Sequence, residues 1–217
     1  PSPLIPVAKP RSMFDSTTIR IALFGTSADP PHQGHLAILS WLATEFDHVV
    51  VWAANNPFKQ HQTSLAERFT MLQLIIDQIE APADRIKLYP DLSHSRTIVT
   101  LERTRHKWPD ADLTLVIGAD LVPQLPRWYR AQDIFSQAHI LVVPRPGYRL
   151  SGDDLIELRQ QGADISLATM PDRFDMSSSQ YRQADDRDVL PPVIQTYIDQ
   201  NNLYPCPEDS REKLSTP

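Results

Sequence analysis

Residues 24–36, FGTSADPPHQGHL, carry two histidines three positions apart, His32 and His35, in a turn punctuated by Gly25, Gly34 and two prolines. The apolar run IRIALF (19–24) that leads into it reads as a buried strand. The segment after Gly34 places Leu36, Leu39, Leu42 and Phe46 on one helical face, so the stretch is a strand-to-helix turn. Gly25 and Gly34 allow a backbone to approach a ligand closely, and Gly34 opens a helix whose unpaired N–H groups favour phosphate. Both histidines then stand on the first helical turn, where imidazole donates hydrogen bonds and carries charge near neutral pH. A zinc pair is the weaker reading, because no Cys or His elsewhere completes a ligand spacing.

Outward from this turn the chain alternates. HVVVWAA (48–54) is continuously apolar, as parallel strands covered on both faces tend to be. SLAERFTMLQLIIDQI (64–79) is a helix opened by a Ser64/Glu67 capping box, with Phe69, Leu72, Ile76 and Ile79 in helical period. RIKLYP (85–90), DLTLVIG (112–118), AHILVVP (138–144) and ADISLAT (163–169) are further strands. A helix is expected over 97–107, a short element around LPRWY, and a last helix within 191–204 that opens on prolines. The alternation predicts an α/β fold with a doubly wound, mostly parallel sheet, whose ligands bind at the C-terminal ends of the strands near a switch in strand order. The Pro-rich residues 1–18 read as a flexible arm, 19–204 as the folded domain and 205–217 as a flexible tail.

Composition narrows the class. The 217 residues are 41% hydrophobic and 22% charged, enough for a sizeable core, with a formal net charge of -6. An acidic chain does not suit nucleic acid, though it leaves room for a local basic pocket. One cysteine, Cys206, excludes an internal disulfide and fits a reducing compartment. No run approaches the ~20 apolar residues of a membrane helix, and PSPLIPVAKPRSMFDS lacks a signal-peptide build, so a soluble cytoplasmic protein is expected. A homo-oligomer is left open.

The stretch with H-x-G-H at 32–35 resembles the signature of the nucleotidyltransferase superfamily, and the chain resembles the bacterial-type nicotinate/nicotinamide mononucleotide adenylyltransferases in particular. Their opening motif, G-G-T-F-D-P-x-H-x-G-H-L, is occupied from Gly25 to Leu36, with Thr26, Ser27 and Ala28 in place of Gly, Thr and Phe. NNPFKQH (55–61) is similar to the P-P-H-K loop, with Phe58 for His and with Lys59 retained. SRTIVTL (95–101) resembles S-Y-T-x-x-T-L, with Arg96 for the aromatic. IGADLVPQLPRWY (117–129) matches I-G-x-D and a downstream Trp, and AHILVVPRPGY (138–148) matches the next strand and its R-P-G turn. FDMSSSQYRQ (174–183) resembles I-S-S-T-x-I-R.

The resemblance implies a Rossmann-like nucleotidyltransferase fold and transfer of AMP from ATP to a pyridine mononucleotide, with pyrophosphate released. It implies that His32, His35 and Arg182 are catalytic. Gly25, Thr26, Ser27, Gly34, Gly118, Asp120, Ser177, Ser178 and Ser179 are then placed at ATP, and Lys59, Arg96, Thr97 and Trp128 at the mononucleotide. The only metal implied is Mg²⁺ carried in with ATP. A guanidinium forms bidentate, charge-assisted pairs with carboxylates, so Arg96 favours nicotinate over nicotinamide as the pyridine substituent. Competing readings are another H-x-G-H transferase, such as a pantetheine-phosphate adenylyltransferase or a cytidylyltransferase, and a nucleotide-binding module without turnover. A dinucleotide-dependent dehydrogenase is disfavoured, since the first turn lacks G-x-G-x-x-G.

Overall fold

A computed structural model of the chain describes residues 18–55, 63–82, 84–145, 148, 150, 152–170, 178, 181–182 and 186–204. The arm and the tail therefore lie almost wholly outside the described residues. Six strands form one sheet, β1 (Arg20–Thr26), β2 (His48–Ala53), β3 (Ile86–Leu88), β4 (Asp112–Gly118), β5 (His139–Val143) and β6 (Ile165–Leu167). Their order is β3-β2-β1-β4-β5-β6 and every pairing is parallel. The sheet expected from the alternation is what the chain forms, and its strand order reverses between β1 and β4.

The helices among the described residues are α1 (Gln33–Glu45), α2 (Leu65–Ile76), α3 (Thr97–Lys107), α4 (Ala131–Gln137), α5 (Gly152–Gln160) and α6 (Pro192–Gln200). Strand side chains alternate between two apolar clusters. Ile21 and Leu23 of β1 face one cluster with Leu92, Ile98, Leu101, Ile134, Phe135, Leu155 and Leu158, on the side of α3, α4 and α5. Ala22 and Phe24 face the other with Leu39, Leu42, Met71, Leu72, Ile75, Ile194 and Ile198, from α1, α2 and α6. Burial on both faces explains the apolar runs of β1 and β2 and the run of β4 interrupted only by the buried Thr114, each fully buried Leu or Ile contributing about 1.5–3 kcal/mol.

Several boundaries differ from the sequence reading. β1 continues through Thr26, because Gly25 and Thr26 still pair with Trp52 and Ala53. The capping box of α2 forms as expected, with the Glu67 N–H donating to Ser64 Oγ at 3.2 Å and the Ser64 N–H to Glu67 Oε2 at 2.8 Å. That helix ends at Ile76 rather than Ile79, with Asp77 as its C-cap. β6 shrinks to three residues, since it pairs with β5 only from Ile140 to Val142. Neither α4 nor α5 was expected: α4 has only seven residues, and only Leu155 and Leu158 of the nine in α5 are buried, too few for a periodic signal. The last helix stops at Gln200, after which Asn202 and Tyr204 take positive φ values of 50° and 54° and turn the chain back toward the sheet. Among the described residues no helix is long and apolar enough to cross a membrane.

Candidate active site

The turn between β1 and α1 lies at the C-terminal edge of the sheet, on the β1 side of the switch between β1 and β4. His32 is the N-cap of α1, in extended backbone, and its Nδ1 accepts the Gly34 N–H at 3.1 Å. The His32 N–H in turn donates to Nδ1 of His35 at 3.1 Å. The pair is a capping box built from two imidazoles, satisfying helix-end N–H groups that would otherwise lack partners. The rings stack obliquely with centroids 3.9 Å apart, and each residue is only 8% exposed.

A backbone N–H can only donate, so both Nδ1 atoms are unprotonated and each neutral ring carries its proton on Nε2. His35 Nε2 lies 2.8 Å from Thr26 Oγ1 and donates to it. No described residue accepts the proton on His32 Nε2. Burial, and then the nearby Arg145 guanidinium, hold the His32 pKa down at about 4. The sequence reading of a charged imidazole near neutral pH is therefore corrected for His32, which is a neutral donor at pH 7.

Asp29 anchors the turn from below. Its carboxylate is 2% exposed, and Oδ1 accepts from Thr63 Oγ1 at 2.7 Å and from the Tyr204 hydroxyl at 2.6 Å. Arg182 Nη1 donates to the Asp29 carbonyl, and Ser178 Oγ to the Pro30 carbonyl at 2.8 Å. The Asp29–Pro30 peptide is cis, and Ala28 before it has φ 46°. Arg68 is 2% exposed and holds strand ends on either side of the turn, donating through Nη1 to the carbonyls of Ser27 at 3.0 Å and Ala54 at 2.8 Å.

Across the switch, Asp120 follows β4 in a 3-10 segment, Ala119–Arg127, and pairs with Arg145 at 2.7 Å. A Cβ on Gly118 would fall 2.6 Å from Asp120 Oδ1, so glycine there lets the carboxylate fold back over the strand end. Gly25 has a comparable reason, different from the ligand approach expected of it. A Cβ there would meet Cε2 and Cζ2 of Trp52 at 2.4 Å.

A third group surrounds the start of α3. Arg96 is its N-cap, and the Arg96 guanidinium lies 4.1 Å from the centroid of the exposed Tyr129 ring. Trp128 packs partly buried against the core, and Thr97 opens the helix. Thr100 Oγ1 donates to the Leu92 carbonyl at 2.8 Å, and Ser93 Oγ to the Ala53 carbonyl at 2.7 Å, tying this segment to the end of β2.

The structure thus gathers Thr26, Ser27, His32, Gly34, His35, Ser178 and Arg182 around one turn. Gly118 and Asp120 stand across the switch, linked to His32 through the field of Arg145. Arg96, Thr97 and Trp128 form the separate group at α3. Lys59, Ser177 and Ser179 lie outside the described residues. Arg145, Arg68, Thr63, Tyr204 and Tyr129 were not singled out from the sequence. Arg68 left a signal, a charged residue in register with the buried Met71, Leu72 and Ile75 of α2. Tyr204 left none, because its partner Asp29 is 175 positions away.

A parallel 3-2-1-4-5-6 sheet with an H-x-G-H helix start at the switch defines a nucleotidyltransferase architecture. The cytidylyltransferase-like family model matches residues 23–184, and the chain belongs to that family. Among its relatives, the chain is 41% identical over 198 residues to a probable nicotinate-nucleotide adenylyltransferase of Synechocystis, covering 86% of this chain and 99% of that one. A protein of the same name from Gemmatimonas aurantiaca is 32% identical, covering 86% and 92%. The fold is shared with the nicotinic acid mononucleotide adenylyltransferase of Plasmodium falciparum complexed with NaAD, at a TM-score of 0.74 and 19% identity, covering 86% of this chain and 97% of that one.

Proposed function

We propose that the protein is a nicotinate-nucleotide adenylyltransferase, making the dinucleotide of NAD biosynthesis from Mg-ATP and nicotinate mononucleotide. A 5′-phosphate oxygen of the mononucleotide attacks the α-phosphorus of ATP in line. The bond from that phosphorus to the oxygen bridging to the β-phosphorus breaks, and pyrophosphate leaves with the electron pair. Magnesium enters as part of the nucleotide substrate, ligated by phosphate oxygens and water. The nucleophile is the substrate's own, so the protein's work is positioning and charge stabilisation.

The observation that carries this reading is the imidazole capping box. It leaves the neutral His32 Nε2–H as a donor at the N-terminus of α1, beside the switch between β1 and β4. An anion at that end meets the positive end of the helix dipole, this donor and Arg145; the Gly34, His35 and Leu36 N–H groups are already bonded to His32, which corrects the expectation of unpaired N–H groups there. His32 is assigned to the ATP phosphates directly, His35 to the same phosphates when its Nε2–H exchanges Thr26 Oγ1 for a phosphate oxygen, and Arg182 to the departing pyrophosphate, with Ser27, Gly34 and the serines at 177–179 completing the seat. Gly118 and Asp120 are assigned to the adenosine side. Lys59, Arg96, Thr97 and Trp128 are assigned to the mononucleotide, with Arg96 selecting the nicotinate carboxylate. The names of the close relatives support the same reaction.

The test is pyrophosphate release from Mg-ATP with nicotinate and nicotinamide mononucleotides in parallel, against His35→Ala. Loss of one such donor lowers the rate by about 10²–10³-fold. Full turnover in His35→Ala would overturn the residue assignment, and no release with either mononucleotide would overturn the function.

A further inference from the structure

Tyr204 closes a contact that neither catalysis nor packing alone accounts for. Its hydroxyl donates to Asp29 Oδ1 at 2.6 Å and lies 3.3 Å from Thr63 Oγ1, which donates to the same carboxylate oxygen. Its ring meets Tyr181 edge-on with centroids 5.6 Å apart. Tyr181 precedes Arg182, whose guanidinium holds the Asp29 carbonyl. One side chain at the far end of the chain therefore touches both segments assigned to the ATP phosphates. The turn at 24–36 is met through Asp29, and the segment bearing Ser178 and Arg182 through Tyr181.

The backbone is held in the left-handed region at both ends of this contact, φ 46° at Ala28 and 54° at Tyr204. Such conformations cost free energy in non-glycine residues and persist where the surroundings over-determine them. Burial, and then the bond to Asp29, push the Tyr204 hydroxyl well above its ordinary pKa. It thus stays protonated, and a donor, well above neutral pH.

We infer that Tyr204 is a positioning residue: acting through Asp29, its hydroxyl sets the turn that presents His32 to the phosphates of ATP. The inference rests on the proposed adenylyl transfer and adds to it a residue outside the motifs. It touches no reacting atom. Its effect falls on ATP and not on the mononucleotide, whose described assigned residues, Arg96, Thr97 and Trp128, lie at α3.

The experiment compares wild type, Tyr204→Phe and Thr63→Val. The Phe variant keeps the ring on Tyr181 and removes only the hydroxyl. Steady-state kinetics with each substrate varied in turn are expected to show KM for Mg-ATP raised or kcat lowered by about three- to ten-fold in Tyr204→Phe. KM for the mononucleotide should stay within about twofold, while the melting temperature falls by several degrees because the buried Asp29 carboxylate loses one of its donors. Thr63→Val, which removes the second donor to the same oxygen, should shift the same parameter in the same direction. Imidazole nitrogen NMR of the nucleotide-free proteins adds a readout independent of turnover, with the His32 signals moving in Tyr204→Phe. Unchanged ATP parameters and unchanged His32 signals in a folded Tyr204→Phe protein would overturn the inference. So would equal losses for both substrates. A wild-type protein that releases no pyrophosphate would instead overturn the proposed function, while the His32 signals still decide the positioning role.

Discussion

Thr26 and His35 are partners across the turn, with Oγ1 2.8 Å from Nε2, and the hydroxyl is the acceptor because Nδ1 of His35 is already occupied by the His32 N–H. Thr26 stands where the resembled motif has its second glycine, so this side chain is what the chain adds to the motif. It fixes the tautomer and the tilt of His35 before any nucleotide arrives.

Thr26→Val keeps the branched shape and removes the acceptor. A neutral hydrogen bond of this kind is worth about 0.5–1.5 kcal/mol, so kcat/KM for ATP is expected to fall by about three- to ten-fold. Pyrophosphate release at limiting ATP measures it, and an unchanged value would show that His35 is held by its Nδ1 contact alone.

Gly25→Ala places a methyl group 2.4 Å from the Trp52 indole, in a stretch where β1 and β2 are still paired. Overpacking of this kind costs on the order of 1–3 kcal/mol. Urea denaturation should show the loss, and adding Trp52→Leu should recover part of it, because the two changes share one contact. Additive losses would mean that Trp52 is not the obstacle.

The depressed pKa of His32 makes stability depend on pH in a defined direction. Between its ordinary value of 6.5 and about 4, the unfolded chain binds a proton that the folded chain does not. Stability is therefore full above pH 6.5 and falls as the pH drops toward 4, by about 3 kcal/mol from this group. His32→Asn retains a capping acceptor and cannot titrate, so its stability curve should be flatter over that interval. Parallel curves for the two proteins would place the acid sensitivity elsewhere.

Arg96 is exposed and stacked on Tyr129, a geometry that holds its guanidinium without neutralising it. Arg96→Leu is expected to lower the preference for nicotinate over nicotinamide mononucleotide by about tenfold, the scale of one charged hydrogen bond. The ratio of the two kcat/KM values measures it. An unchanged ratio would assign the carboxylate to other donors.

Local pattern carried much of this protein. The apolar strands, the Ser64/Glu67 box and the strand-to-helix position of H-x-G-H were legible because each depends on neighbours within a few residues. So was the sheet class, since alternating strands and helices of these lengths have few compact solutions. The helix over 152–160 was not legible, because a short surface helix needs only two buried leucines.

Sequence alone determined the class of the sheet, its strands, the helices α1, α2, α3 and α6 though neither α4 nor α5, and that two histidines stand at a helix start. Only tertiary structure decided that both histidines are buried and bonded to each other, that His32 is neutral, and that Gly25 makes room for Trp52. It alone placed Arg68 and Tyr204 beside the turn. The physical reason is separation along the chain. Protonation state and side-chain position are set by neighbours such as Arg145 at His32 and Tyr204 at Asp29, over a hundred positions away, and no local pattern encodes such a meeting.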